Sequence, residues 1–198
     1  MTILSVASPH SQSTPDEAMA RATFQTLLAA LSNPGRIFTL PGIAPSTQES
    51  CHQIGLTLLD LETSFFTSDR LLRRNLEQSG ARFLIASSAS YLFFPESDAF
   101  EAMARQTIDI IAYATVGTMA DPDEGATVIV ACRLGQGQAL RLRGPGIAHA
   151  IELRVNGLPV EFWQLRAAKI NYPLGIDLFL VDGGQLVGLP RTTTVEIE

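Results

Sequence analysis

Lysine is nearly missing from this sequence. Of the 14 Lys and Arg residues only Lys169 is a lysine, and the other 13 are arginines. A pyridoxal enzyme needs a lysine for its Schiff base. Lys169 is therefore the sole candidate, and it precedes Asn171-Tyr172-Pro173 in what reads as an exposed connection without a pyridinium partner. Cysteine is scarce as well. Cys51 and Cys132 lie far apart in apolar runs, with no CxxC or Cys/His spacing around them. That excludes a disulfide framework and points to two buried thiols in a reducing compartment. The three histidines, His10, His52 and His149, have no carboxylate or second histidine at ligand spacing, and HExxH is absent, so no metal site is expected. No apolar run reaches the roughly 18 residues of a membrane helix. The opening MTILSVASPHSQSTPDE lacks the basic and apolar regions of a signal peptide. A cytoplasmic protein, away from membranes, is expected.

The balance of what remains is globular. Hydrophobic residues make up 46% and charged residues 17% of 198 positions, enough for one domain with a substantial core. The net charge of −6 argues against nucleic acid as a partner, since such binders carry a basic stripe. A mean hydropathy of +0.18 suggests apolar surface covered by partner chains. The preference for arginine suits bidentate anion contacts and interface ion pairs, although genomic base composition is the simpler account of it.

Local patterns organise the chain. Residues 1–15, rich in Ser, Thr, Gln and Pro, read as a flexible N-terminal tail before a single domain over 16–198. A helix is expected from Asp16, with Phe24, Leu27, Leu28 and Leu31 on its apolar face and Ser32-Asn33-Pro34-Gly35 as its stop. A strand over 37–40 comes next. A helix after Pro45 carries Cys51, Ile54, Leu58 and Leu61. Strands follow at 64–67, 82–86 and 91–94, with a short helix capped by Asp69 and closed by Gly80 between the first two. Asp98 and Glu101 have capping-box spacing for a helix to Ala112. The run 126–132 reads as a buried central strand. The segment 139–143 alternates apolar residues with arginines, and Leu134-Gly135-Gln136-Gly137 is read as a hairpin joining the two. A helix over 161–168, a hairpin of 176–181 with 185–189 around Asp182-Gly183-Gly184, and an edge strand at 194–197 complete the pattern. Alternation early and hairpins late imply an α/β fold with a mixed sheet covered by helices.

Motifs for self-contained chemistry are absent. There is no GxSxG, SxxK, P-loop or catalytic-cysteine context. Ser87, Ser88 and Ser90 read as a solvated turn, and so does the acidic Asp121-Pro122-Asp123-Glu124-Gly125, which lacks EF-hand spacing. Arg143-Gly144-Pro145-Gly146 follows a strand like the start of a dinucleotide fingerprint, but the third glycine is missing and Pro145 removes a donor. Arg191 stands before Thr192, Thr193 and Thr194. An arginine beside hydroxyls and backbone amides can hold a phosphate or carboxylate, or it can cap a strand end or pair across an interface. Arg143, Gly144, Gly146, Arg191, Thr192 and Thr193 are thus the candidate anion contacts. No catalytic residue is assigned.

Four segments carry a family resemblance: TFQTLLAALSNPGRI at 23–37, GTMADPDEGATVIV at 117–130, LRLRGPGI at 140–147, and PLGIDLFLVDGGQLVGLPRTTTVEI at 173–197. They span nearly the whole chain, and the chain resembles the PhnH family, the H subunit of the bacterial carbon–phosphorus lyase system for phosphonate catabolism. The resemblance implies a three-layer α/β/α sandwich related to the large domain of pyridoxal-phosphate transferases, without the cofactor. It implies G, I and J subunits as partners, and a homodimer in isolation. The complex, with an ATPase-like L subunit, joins a phosphonate to the ribose of ATP and expels adenine. A later radical step using S-adenosylmethionine and an iron–sulfur cluster on J breaks the C–P bond. Two departures stand out. Phe24-Gln25 replaces the family's common Phe-Arg, which weakens any anion contact there, and the 98–116 segment looks longer. The competing expectation is an independent phosphonate- or nucleotide-binding transferase that grips its ligand through Arg143 and Arg191. A homodimer with a regulatory pocket at its interface is a third.

Overall fold

The computed structural model describes residues 15–42, 46–95 and 102–198. Most of the expected tail, and the Asp98–Glu101 capping box, lie outside the described residues. Along the chain come α1 (Pro15–Ser32), β1 (Phe38–Thr39), α2 (Thr47–Leu58), β2 (Ser64–Thr67), α3 (Arg70–Leu76), β3 (Arg82–Phe83), β4 (Tyr91–Phe94) and α4 (Ala102–Ala112). Then follow β5 (Thr127–Ala131), β6 (Arg133–Arg143), β7 (Ile151–Asn156), α5 (Val160–Lys169), β8 (Asp177–Asp182), β9 (Gln185–Leu189) and β10 (Thr194–Ile197).

Seven strands form one sheet in the order β1-β9-β8-β5-β4-β2-β3. Its middle is parallel, from β3 through β2, β4 and β5 to β8, and β9 then runs antiparallel to β8. The sheet is mixed, as the sequence implied. Side chains two apart on a strand share a face, so each apolar run feeds two cores. Phe93, Ile129, Phe179 and Val181 pack with Leu27, Cys51, Ile54, Leu72 and Leu76 of α1, α2 and α3. Leu92, Phe94, Val128, Val130, Leu178 and Leu180 point the other way. Each such side chain, fully buried, stabilises by roughly 1.5–3 kcal/mol.

Helices pack on the second core too, but its cover is not purely helical. Ile111 and Ala114, from α4 and the turn after it, and Phe162 and Trp163 of α5 share it with Leu140, Leu142, Leu153 and Val155. The latter four belong to a separate antiparallel sheet, β10-β6-β7. The hairpin expected at 134–137 is overturned. β5 and β6 lie in different sheets, and β6 runs unbroken through those residues. Leu134 and Gln138 both oppose Val155, so the intervening residues bulge out of the ladder. The glycines there serve a register slip, not a chain reversal. Asp182 ties the sheets together by accepting from Arg133 Nη1 and Leu134 N, both at 3.0 Å.

On the other side, α1 buries Leu27 as expected and packs Leu31 half-buried against the core, but its buried face is rotated away from Phe24 and Leu28. Thr23, Leu27 and Ala30 are inside, while Phe24 is 51% and Leu28 56% exposed. Small residues are required because the helix lies against β9. A Cβ added at Gly188 would come within 2.6 Å of the Ala30 carbonyl carbon. Buried Thr23 is satisfied by Gln53 Nε2 of α2 at 2.8 Å. In α2 the expected Cys51 and Ile54 are buried, but Leu61 lies beyond the helix and is exposed. Ser46 and Asp69 cap α2 and α3 by accepting from Glu49 N and Leu72 N. The expected strand 82–86 shortens to a two-residue edge.

Burial pushes the Cys51 thiol up to about 12, with Asp69 adding to the effect, and pushes Cys132 up as well, with Asp182 adding. A thiol in the unfolded chain ionises near pH 8.5, so above that pH the unfolded state releases its protons first. The stability that these neutral thiols contribute is complete below about pH 8.5 and is lost as the pH rises. Urea midpoints should therefore fall from about pH 8.5 to pH 11, and fall less in a Cys51→Ala/Cys132→Ala variant. A thiol-reactive dye should label neither cysteine until the protein is denatured.

Candidate functional site

The site is assembled where β8 begins and β9 ends. The two strands are antiparallel, with Leu178 opposite Leu189, so Asp177 and Arg191 arrive at the same edge of the sheet. A turn closed by Thr193 N on Pro190 O at 2.8 Å follows β9. Arg191 then commits both backbone and side chain to Asp177. Its N–H donates to Oδ1 at 2.7 Å, its Nη2 to Oδ2 at 2.7 Å, and its Nε spans both oxygens at 3.3 Å. The same guanidinium reaches the Pro122 carbonyl through Nη1 and the Gly125 carbonyl through Nη2 at 3.4 Å. A fork of this kind is stronger than a neutral hydrogen bond and fixes geometry. It locks the 122–125 turn, which leads into β5, to the ends of β8 and β9.

Beside it lies a second arginine. Arg166 of α5 is 2% exposed. Its Nη1 donates to Thr193 O at 3.0 Å, and its Nη2 to Pro190 O at 2.9 Å and Leu189 O at 3.4 Å. The guanidinium thus gathers the carbonyls of the turn after β9 without a carboxylate of its own. Burial pushes its pKa down to about 10, against the opposing charge of Asp177, so it stays cationic at neutral pH.

Between α5 and the 191–195 segment opens a cavity of about 560 Å³, within the range of small-molecule sites. Trp163, Arg166, Ala167 and Ile170 line it from α5 and the residue after it. Arg191, the three threonines and Val195 face them, and Pro145 and Tyr172 contribute from neighbouring loops. Trp163 stands edge-on to Phe162, with ring centroids 5.1 Å apart.

The sequence candidates divide accordingly. Arg191, Thr192 and Thr193 come together in the cavity lining. Gly144 sits behind them with φ at 144°, and a Cβ there would meet Thr192 O at 2.6 Å, so it allows two backbones to touch. Gly146 packs instead on the end of α1, where a Cβ would meet Ser32 O at 2.8 Å. Arg143 is exposed and pairs in register with Thr194 across β6 and β10. Neither residue lines the cavity. Lys169, expected in an exposed connection, is the last residue of α5 and donates to Ala114 O at 2.8 Å. No group of three or more His, Cys, Asp or Glu side chains suited to a metal occurs among the described residues. Sequence reasoning missed Arg166 and Trp163. The available signal was an arginine three residues after Trp163 and four after Phe162, on the apolar side of a short helix.

Because the fork joins three segments, its loss should be costly. Arg191→Lys keeps the charge but loses the planar geometry, and urea unfolding should show a loss of about 2 kcal/mol. Asp177→Asn combined with Arg191→Ala should cost clearly less than the sum of the two single changes, because the partners act on each other.

Comparison with known proteins agrees with the pattern of this chain. Residues 13–196 match the family model described as bacterial phosphonate metabolism protein (PhnH). HtxG of Stutzerimonas stutzeri, named as a C-P lyase subunit protein, is 30% identical over 181 residues, covering 90% of this chain and 86% of that protein. The alpha-D-ribose 1-methylphosphonate 5-triphosphate synthase subunit PhnH of Rhizobium meliloti (strain 1021) is 31% identical over 184 residues, 90% of this chain and 91% of that protein. The match runs through the segments that build the sheet, the Asp177–Arg191 fork and the cavity, and the chain belongs to the PhnH family of bacterial phosphonate metabolism proteins.

Proposed function

We propose that this chain serves as the H-type subunit of a carbon–phosphorus lyase assembly. In that role it supports the transfer of a phosphonate to the ribose of ATP with release of adenine. The carrying observation is the near full-length match to a subunit of alpha-D-ribose 1-methylphosphonate 5-triphosphate synthase. The reading takes G-, I- and J-type subunits as partners, a homodimer when the chain is alone, and the cytoplasm as its compartment. It also takes the fold to be a variant of the large domain of pyridoxal-phosphate transferases that works without the cofactor.

Two physical features support a subunit role. The outward face of α1 leaves Phe24 and Leu28, one helical turn apart, about half exposed. Apolar side chains aligned in this way suit coverage by another chain. Arg191 spends its guanidinium on Asp177 and two carbonyls, which fits a scaffold better than a group poised to act on a bond.

The test is co-expression with the G-, I- and J-type proteins of the same host. This chain should co-elute with them in size-exclusion chromatography, and its deletion should abolish growth on methylphosphonate as the sole phosphorus source. Elution apart from all three, together with undiminished growth of the deletion strain, would overturn the reading. Phe24→Glu/Leu28→Glu should weaken co-elution while leaving the thermal unfolding midpoint of the isolated chain within a few degrees.

A further inference from the structure

The edges of the two sheets are guarded unequally. β1 and β3, which bound the large sheet, are two residues each. β10, one edge of the small sheet, has α5 packed against it. β7 is the exception. It is six residues long, contains neither proline nor glycine, and pairs with β6 alone. Among the described residues no helix packs closely on it. A bare edge of this length is a template for another strand.

The open side is assigned residue by residue. Ala139 O of β6 accepts from Glu198 N at 3.1 Å, so the main-chain groups of Ala139, Arg141 and Arg143 turn toward β10. Those of Leu140 and Leu142 then turn toward β7, where they meet Leu153 and Ile151. Glu152 and Arg154 alternate with these, and their N–H and C=O groups face away from the sheet. Side chains alternate too. Leu153 and Val155 are buried in the second core. Glu152 and Arg154 stand on the outer face, joined by an ion pair at 2.9 Å and each about half exposed. On the same face Arg141 of β6 lies opposite Glu152 and reaches Glu198 at 3.8 Å.

The order of these residues is what singles out a partner. Acid, leucine, base is its own complement when the strand is reversed. An antiparallel pairing about a two-fold axis at Leu153 sets Glu152 opposite Arg154 of a second copy, and Arg154 opposite its Glu152. Opposite charges directly across antiparallel strands stabilise, and like charges destabilise. The free main-chain groups of the same two residues are the ones that bond. A slip of two residues either way moves the axis to Glu152 or Arg154 and sets a charge against its own kind, so the register is specified. A two-fold interface must be self-complementary, and this edge is.

We propose that two copies of this chain join through their β7 edges, antiparallel and centred on Leu153, so that their small sheets become one continuous sheet. The inference deepens the homodimer of the function proposed above and rests on that part of it. The choice of edge and register rests on β7 alone.

Sedimentation velocity of the isolated full-length chain, run from low to high micromolar concentration, tests it. The unaltered chain should dimerise. Arg154→Glu sets like charges opposite one another at two places and should weaken the dimer about tenfold. The exchange Glu152→Arg/Arg154→Glu reverses the order of charges, keeps the self-complementarity and should restore the dimer. Arg154→Pro removes an outward N–H without touching the ladder to β6 and should leave a monomer with an unchanged circular dichroism spectrum. The charge variants stand on their own if the proline variant fails to fold. A double exchange as weak as Arg154→Glu alone overturns the register. A dimer indifferent to both Arg154→Glu and Arg154→Pro overturns the edge and leaves the homodimer reading intact. A chain that stays monomeric at every concentration overturns both, while co-elution with the partner subunits still decides the subunit role.

Discussion

The carboxylate of Asp177 and the guanidinium of Arg191 form the contact on which the geometry of this molecule turns. A charge pair that is only partly exposed, 14% for Arg191 and 21% for Asp177, is held by several hydrogen bonds and is screened little by solvent. It fixes the edge where β5, β8 and β9 meet. The turn after β9 is then placed for Arg166 to collect its carbonyls, and α5 is pinned to the 190–193 segment. From there the chain enters β10, which pairs with β6 and brings the small sheet onto the large one. The cavity is a by-product of this arrangement. It is the space left where a helix, a turn and a second sheet converge on a locked strand end.

Ligands of open α/β sheets are usually met at the carboxyl ends of the parallel strands. Here Asp177 opens β8, so the fork and the cavity beside it lie toward the amino end of a parallel strand. The usual loops are not available there. The enclosing walls come instead from α5, the turn after β9 and the start of β10. This explains how a chain with an α/β core can lack phosphate-loop and dinucleotide motifs and still build a cationic recess.

Much of the large sheet was legible in the sequence. Apolar runs bounded by turn residues marked β2, β4, β5, β8 and β9, and Asp69 marked the start of α3, because those signals are local. The errors arose where local signals carry two meanings. Gly135 and Gly137 read as a turn, but they sit in a bulge of one long strand. Ile151, Leu153 and Val155 alternate with polar residues as an exposed-edge strand should, yet β7 went unread. On α1 Leu27 and Leu31 were read on the correct side, whereas Phe24 and Leu28 turn outward and the small Thr23 and Ala30 take the inner positions, Ala30 against Gly188. At the site, Arg191 and its threonines stood out as a cluster in sequence. Arg166 did not, because its partners lie more than twenty residues away and only the folded turn brings their carbonyls to it.

The near contact between Ala30 and Gly188 has one more effect. Where the Ala30 backbone meets Gly188 no side chain stands between helix and strand, so at that point α1 is held directly against β9. The phenylalanine and leucine that it turns outward are carried as if mounted on the β8–β9 hairpin itself. A protein docking on that helix would meet a stiff ridge and lose little freedom in ordering it. Any strain it imposed would pass straight into the strands that end at the cationic recess.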